Sequence, residues 1–419
     1  MLSGMVDTLM LSSVNDQAVG AVGTANTYIG IFIIMFSVIS SGMVAVMTQN
    51  IGAGRPGVAY QARQLGLAFN AVLGIIMSLF LSLGAGTILS GVGVADALMQ
   101  PAKTYLQIVG GFCILNALIP ICSSYLRAFG FSKEPLYASI IGNVINFCLN
   151  AFFLFVLHKG VAGVATATVI SRIINLVIVV LLGAVLVKAK QHPERESNRA
   201  VMGQIIRIGL PSACETAIYN VSMTLVIRFL NQMDAQGLNV TARSYTMQIT
   251  NFSYCVGAAL AQANAIMTGW HIGAKEYDAC DRGTRKAAII GVIVAVILET
   301  MFALCSGWIM QLFSKDPQMV SLVGKLLAID IVLEMGRVTN LVYGQALKTS
   351  GDAVFPVVMG ACFMILCSVG GTYLFGIRLG LLAVGAYIGM TGDECVRAVG
   401  MYLRWKSGKW KEKGLVKSR

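Results

Sequence analysis

Residues 17–54 read QAVGAVGTANTYIGIFIIMFSVISSGMVAVMTQNIGAG and hold no Asp, Glu, Lys or Arg. A helix of about 20 residues already crosses the roughly 30 Å of hydrocarbon in a bilayer. Only helices and closed barrels satisfy every backbone polar group in lipid. This run is continuously apolar and does not alternate, so it reads as a helix. Uncharged stretches of the same kind cover 64–95, 104–126, 244–274 and 353–377. The chain has 419 residues, 56% of them apolar and 12% charged, with a mean hydropathy of +0.75. It reads as an all-α polytopic membrane protein.

Working outward, the spans fall near 17–48, 64–92, 103–127, 135–157, 160–187, 203–232, 241–269, 284–313, 318–347, 353–375 and 380–404, after a stub at 1–12. Counting the stub as the end of a largely missing first helix makes twelve. The net charge of +12 is not a nucleic-acid signature. Seven Lys/Arg lie from Arg404 onward, five between Lys188 and Arg207, and four between Lys275 and Lys286. Positive charge in short segments beside spans marks the cytoplasmic side, so both termini are expected there. The organisation expected is an N-terminal lobe 1–187, a polar cytoplasmic linker 188–202 holding Pro193, a C-terminal lobe 203–404 and a basic cytoplasmic tail 405–419.

The lobes repeat. Ile51-Gly52-Ala53 recurs as Ile272-Gly273-Ala274, and the same offset of 221 carries Arg127 onto Lys348, Gly130 onto Gly351 and Pro135 onto Pro356. Two six-helix units in one orientation make a parallel-repeat carrier, with a substrate cavity expected at their seam. The ten scattered cysteines form no CxxC pair and read as small apolar packing residues. The 21 methionines fill helix packing, and their flexible thioethers also suit a promiscuous wall. No GxxxxGK[ST] phosphate loop is present, which argues against ATP-driven pumping. The three histidines, His158, His192 and His271, fall at span ends or in loops, which disfavours an intramembrane enzyme.

Several segments in order carry a family resemblance: Val6-Asp7-Thr8-Leu9-Met10, Gln49-Asn50-Ile51-Gly52-Ala53-Gly54, Arg127-Ala128-Phe129-Gly130 with Pro135, Asn146-Phe147-Cys148-Leu149-Asn150, and Gly160-Val161-Ala162-Gly163-Val164-Ala165. With them the chain resembles bacterial members of the multidrug and toxic compound extrusion (MATE) family of secondary transporters. That family carries about two dozen residues before its first-helix aspartate segment where this chain has six, so an N-terminally truncated product is expected. The resemblance implies an antiporter exporting small, cationic and amphipathic compounds in exchange for H⁺ or Na⁺, with no cofactor. It also implies a monomer in the plasma membrane whose partners are small-molecule drugs or metabolites and the lipid bilayer. The alternative within the superfamily is a lipid-linked precursor flippase. That reading predicts a strongly basic cavity, and Arg172, Arg228 and Arg337 are few.

Acids inside spans are costly and mark function. The resemblance makes Asp7 the ion-coupling carboxylate, and a carboxylate walled by apolar helices can exchange a proton near neutral pH. Asn146 and Asn150 share a helix face at i, i+4 and are the amides expected to serve the ion with it. The family's archaeal branch has an acid where Asn150 stands, so no carboxylate pair with Asp7 is available. Substrate contacts are expected from Glu215, just past Pro211, and from Asp330, Glu334 and Arg337, which share a face at spacings of four and three. Asp393, Glu394 and Arg397 read as a self-satisfied structural clamp. Glu299 stands alone in its span and is left out of the site.

Overall fold

The computed structural model describes residues 10–11, 16–91, 94, 96–188, 192–234, 237–311, 313–314 and 316–416. Asp7 lies outside them. No strand is present among the described residues. The long rods are α1 (Asp16–Gly52), α2 (Pro56–Gly91), α3 (Asp96–Tyr105), α4 (Ile114–Ala128), α5 (Lys133–Ala151), α6 (Gly160–Leu186), α7 (Asn198–Met233), α8 (Leu238–Gly273) and α9 (Tyr277–Leu304). A single turn, α10 (Ser306–Met310), precedes α11 (Pro317–Ser350), α12 (Val354–Phe363) and α13 (Leu382–Lys406). Wider π turns extend α3 over Leu106–Gly110, α5 over Phe152–Val156, and α12 over Met364–Val369 and Thr372–Arg378. The chain divides into two compact units: the residues up to Met47 with Arg55–Gly209, and Thr48–Gly54 with Leu210–Arg419.

Among the described residues, six helical segments are long and apolar enough to span a membrane; they lie in α1, α2, α5, α6, α9 and α12, the last two and α5 counted with their extensions where present. Leu98–Gly110 with Ile114–Ala128, bent by 42°, makes a seventh as one broken span. The long helices outside this set are α7, α8, α11 and α13, which the reading above also counts as spans. They are less apolar, and in α8, α11 and α13 part of their polar set is buried, Arg243, Asp330, Glu334, Asp393, Glu394 and Arg397 among it.

The solvent inversion is plain on α2 and α9. Val72, Ile76, Leu79 and Leu83 of α2 are exposed while Asn70, Gly74 and Ser78 are buried. On α9 Ile289, Ile293, Ile297 and Leu304 are exposed while Thr284, Gly291 and Glu299 are buried. Lipid is as apolar as a leucine core, so helices associate through small residues and internal polar groups. The repeat motif supplies such a contact within the second unit. A side chain on Gly52 would strike the Trp270 carbonyl, and one on Gly273 would strike the Gln49 carbonyl.

The repeat is written in the backbone as well. The Gly130 N–H donates to Arg127 O and Phe131 N–H to Leu126 O, as Gly351 N–H does to Lys348 O and Asp352 N–H to Leu347 O. Gly130 and Gly351 have φ of 89° and 100°, the left-handed C-cap that ends a helix most cheaply with glycine. After Pro135 and Pro356 the offset becomes 222: Leu157 N–H donates to Phe152 O and Leu379 N–H to Leu374 O.

Part of the segment expected as a basic tail folds back. Trp405 and Trp410 are buried and stack at 4.1 Å. The Trp405 indole donates to Asp281 at 2.9 Å. Leu415 N–H donates to Gln49 Oε1 at 2.7 Å, and Gln49 Nε2 donates to Thr349 O at 2.6 Å.

Candidate functional site

Among the described residues, every buried charged side chain belongs to the second unit: Arg243, Glu299, Asp330, Glu334, Asp352, Asp393, Glu394 and Arg397. Most converge where α8, α9, α11 and α13 pack together. Arg337 Nη1 donates to Glu334 Oε2 at 2.8 Å, and its Nε lies 3.5 Å from Glu394 Oε1. From the next helix Arg397 donates to Asp393 at 2.8 and 3.0 Å and pairs with Glu394 at 2.9 Å. Asn340 Nδ2 donates to Glu394 at 3.0 Å, and Ser368 Oγ to Asp393 at 3.0 Å. The Asp393–Glu394–Arg397 clamp expected from spacing is therefore present, but it is not closed on itself. Glu394 joins it to Arg337 of α11.

Beside this ladder, Glu299 of α9 is fully buried. Among the described residues neither of its carboxylate oxygens has a hydrogen-bond partner, and the charges that act on it are those of Asp330, Glu334 and Arg337. Asp330 and Glu334 each keep one buried oxygen unpaired as well. Sequence spacing could not have found Glu299. Its partners lie on other helices, and the only local signal was the acid itself inside an otherwise apolar run.

A cavity of about 240 Å³ opens next to the ladder, within the second unit. Its charged wall is Glu215, Lys348, Arg337, Glu394 and Arg397, and Tyr219, Tyr254, Leu341, Met364, Asn340 and Gln345 are among the uncharged lining residues. Glu215 and Arg337 are thus on the wall. Asp330 and Glu334 are not: they are buried to 2% and 0% exposure and line no part of it. Lys348, which had marked only the cytoplasmic loop, faces Glu215 with Nζ 2.6 Å from Oε2.

In the first unit Asn146 and Asn150 are buried and share a 3.4 Å hydrogen bond from Asn150 Nδ2 to Asn146 Oδ1. The i, i+4 spacing does bring the two amides together.

A duplicated helical fold with apolar flanks and a charged interior defines a polytopic membrane protein with a polar internal site. The MatE family profile matches residues 1–152 and 211–374, so the chain belongs to the MatE family of multidrug and toxic compound efflux transporters. It is 33% identical to the uncharacterized transporter YisQ of Bacillus subtilis over 99% of this chain and 92% of that protein. It is 23% identical to the probable multidrug resistance protein NorM of Thermotoga maritima over 99% of this chain and 90% of that one. A crystal structure of MATE in the bent conformation superposes with a TM-score of 0.89 at 18% identity, covering 98% of this chain and 92% of that chain.

Proposed function

We propose that this protein is a secondary antiporter that exports small amphipathic organic compounds, cationic ones among them, across the plasma membrane in exchange for H⁺ or Na⁺, as a monomer with both termini cytoplasmic. The relatives named as multidrug resistance proteins support the substrate class. The observation that carries the ion step is the charge imbalance around Glu299. Five buried carboxylates (Glu299, Asp330, Glu334, Asp393 and Glu394) face two guanidiniums, Arg337 and Arg397. Uncompensated charge in a dry interior is costly, so this cluster attracts cations that arrive down their gradient. Arg337 and Arg397 are committed to Glu334, Asp393 and Glu394. Glu299 and Asp330 are then the groups on which an exchangeable proton or sodium ion rests. Asp7 of the first lobe, with Asn146 and Asn150, is the second place where that ion can couple.

The test is efflux of a fluorescent organic dye from proteoliposomes under an imposed pH or Na⁺ gradient. Glu299→Gln and Asp330→Asn keep volume and remove the titratable charge. Each is expected to lower gradient-driven efflux by about tenfold or more, a loss specific to the driven step, while equilibrium dye binding holds. Unchanged efflux in both variants moves the coupling step to Asp7. Response to one gradient and not the other names the ion.

A further inference from the structure

Among the described residues, the cavity wall carries no acid that is free to meet a cation. Glu394 is held by Arg397, Arg337 and Asn340, which leaves Glu215, and Glu215 is closed by Lys348 at 2.6 Å. The side chains of this pair are 15% and 14% exposed, so bulk water does little to solvate either charge once they separate. Lys348 is thus a tethered cation already sitting where a substrate ammonium would bind. A substrate bearing only a positive charge can reach Glu215 only by expelling the lysine, whose ammonium is then left in the cavity without a counter-charge. Removing one member of a poorly solvated ion pair is far more costly than exchanging both partners. A substrate bearing only a negative charge meets the converse penalty at Glu215.

We propose, building on the export reading above, that the Glu215–Lys348 pair is the charge-recognition element of the cavity and that it selects amphoteric molecules. The ligand carries one ammonium, which replaces Lys348 at Glu215, and one carboxylate, which receives the displaced Lys348. Inserting such a molecule opens one ion pair and closes two, with no orphaned charge. The four-carbon stem of lysine lets the ammonium swing with the incoming anion. Tyr219, Tyr254, Leu341 and Met364 supply an apolar wall for an aromatic or aliphatic body. In the first lobe Arg127, the repeat mate of Lys348, donates to the hydroxyl of Ser124 at 3.1 Å.

The experiment uses the purified full chain in detergent and three arylpiperazine probes: an amino acid with both charges free, its methyl ester (cation only) and its N-acetyl derivative (anion only). Dissociation constants by calorimetry are expected to favour the amphoteric probe by about tenfold over either blocked form, because blocking leaves one buried charge unmatched. Lys348→Gln should raise affinity for the ester until it equals or passes the amphoteric probe. Glu215→Gln should do the same for the N-acetyl acid, and Lys348→Arg should keep the wild-type order. Both glutamine variants are close in size to the native residues, and monodispersity on gel filtration checks their folding.

An ester that binds as tightly as the amphoteric probe to the wild type overturns the proposal. So does a ranking that Lys348→Gln leaves unchanged, and so does failure of all three probes to bind. Gradient-driven efflux of an uncharged dye reports on the export reading separately. Efflux retained with the ranking absent removes the amphoteric site alone, whereas efflux absent with the ranking intact removes the export reading alone.

Discussion

Ser78 in the first lobe and Glu299 in the second stand at the same point of the repeat, and the two lobes part company there. Ser78 accepts a hydrogen bond from Ile114 N–H at 3.0 Å, a local tie between neighbouring helices, whereas Glu299 is an unpartnered buried acid. The contrast continues around the site. The offsets of 221 and 222 place Val109, Cys113 and Asn116 opposite Asp330, Glu334 and Arg337, and Ser171 and Asn175 opposite Asp393 and Arg397. Going the other way, Asn146 and Asn150 answer to Ser368 and Thr372. The first lobe also carries a charge at Arg172, the counterpart of Glu394, and at Arg127, the counterpart of Lys348. One backbone plan therefore serves two interiors: among the described residues, the first is joined by amides and hydroxyls and the second by ionised groups. Neutral polar contacts hold helices together in lipid at modest cost. A charged ladder is a more expensive way to do the same.

The largest expected effect breaks that contrast directly. Arg397→Met strips Asp393 of its guanidinium and leaves Glu394 with Arg337 and Asn340 alone, so it should cost about 3–5 kcal/mol in equilibrium unfolding from mixed micelles. Asn175→Ala, at the matching first-lobe position, should cost at most about 1 kcal/mol. Equal costs would mean that the ladder is no more than a polar joint like its counterpart.

A second test uses backbone positions that the lobes share and fill differently. Gly160 and its mate Leu382 have φ of 53° and 54°, a left-handed conformation that penalises a side chain. Gly160→Leu should lower stability by about 1–2 kcal/mol. Leu382→Gly should raise it by about 0.5–1 kcal/mol, the relief of strain less the entropy that glycine adds to the unfolded chain. Opposite signs would show that the repeat fixes the backbone independently of the residue placed on it.

The smallest effect concerns the loop before α8, where Asp234 accepts hydrogen bonds from Leu238 N–H at 2.9 Å and Asn239 N–H at 3.0 Å. Partial burial works against the charge, but the bonds from Asn239, Leu238 and Gly237 outweigh it and hold the carboxyl below the usual aspartate range. Depression in the folded state means that this stabilisation is present above the unfolded value of about 3.9 and is lost as pH falls through the folded one. Asp234→Ala should cost about 0.5 kcal/mol near neutral pH. That difference should shrink in acid, as measured by paired unfolding titrations. A pH-independent difference would place the contribution in packing.

The sequence by itself determined the helical membrane class, the duplication and the helix-local groupings. Uncharged length dictates a span, turn glycines at one offset dictate a repeat, and spacings of three and four dictate a shared face, as Glu334 with Arg337 and Asn146 with Asn150 bear out. All of these are properties of neighbours along one rod. Only the tertiary structure decided which rods meet. It withdrew Asp330 and Glu334 from the cavity wall, set the solitary Glu299 beside them, joined the α13 clamp to Arg337 through Glu394, and turned Lys348 from a loop charge into the partner of Glu215. These pairings join residues of different helices up to 133 positions apart (Glu215 to Lys348). An isolated span carries no periodic signal for which neighbour its polar face will find, because that choice is made by helix–helix packing in a solvent that rewards burying every charge against another.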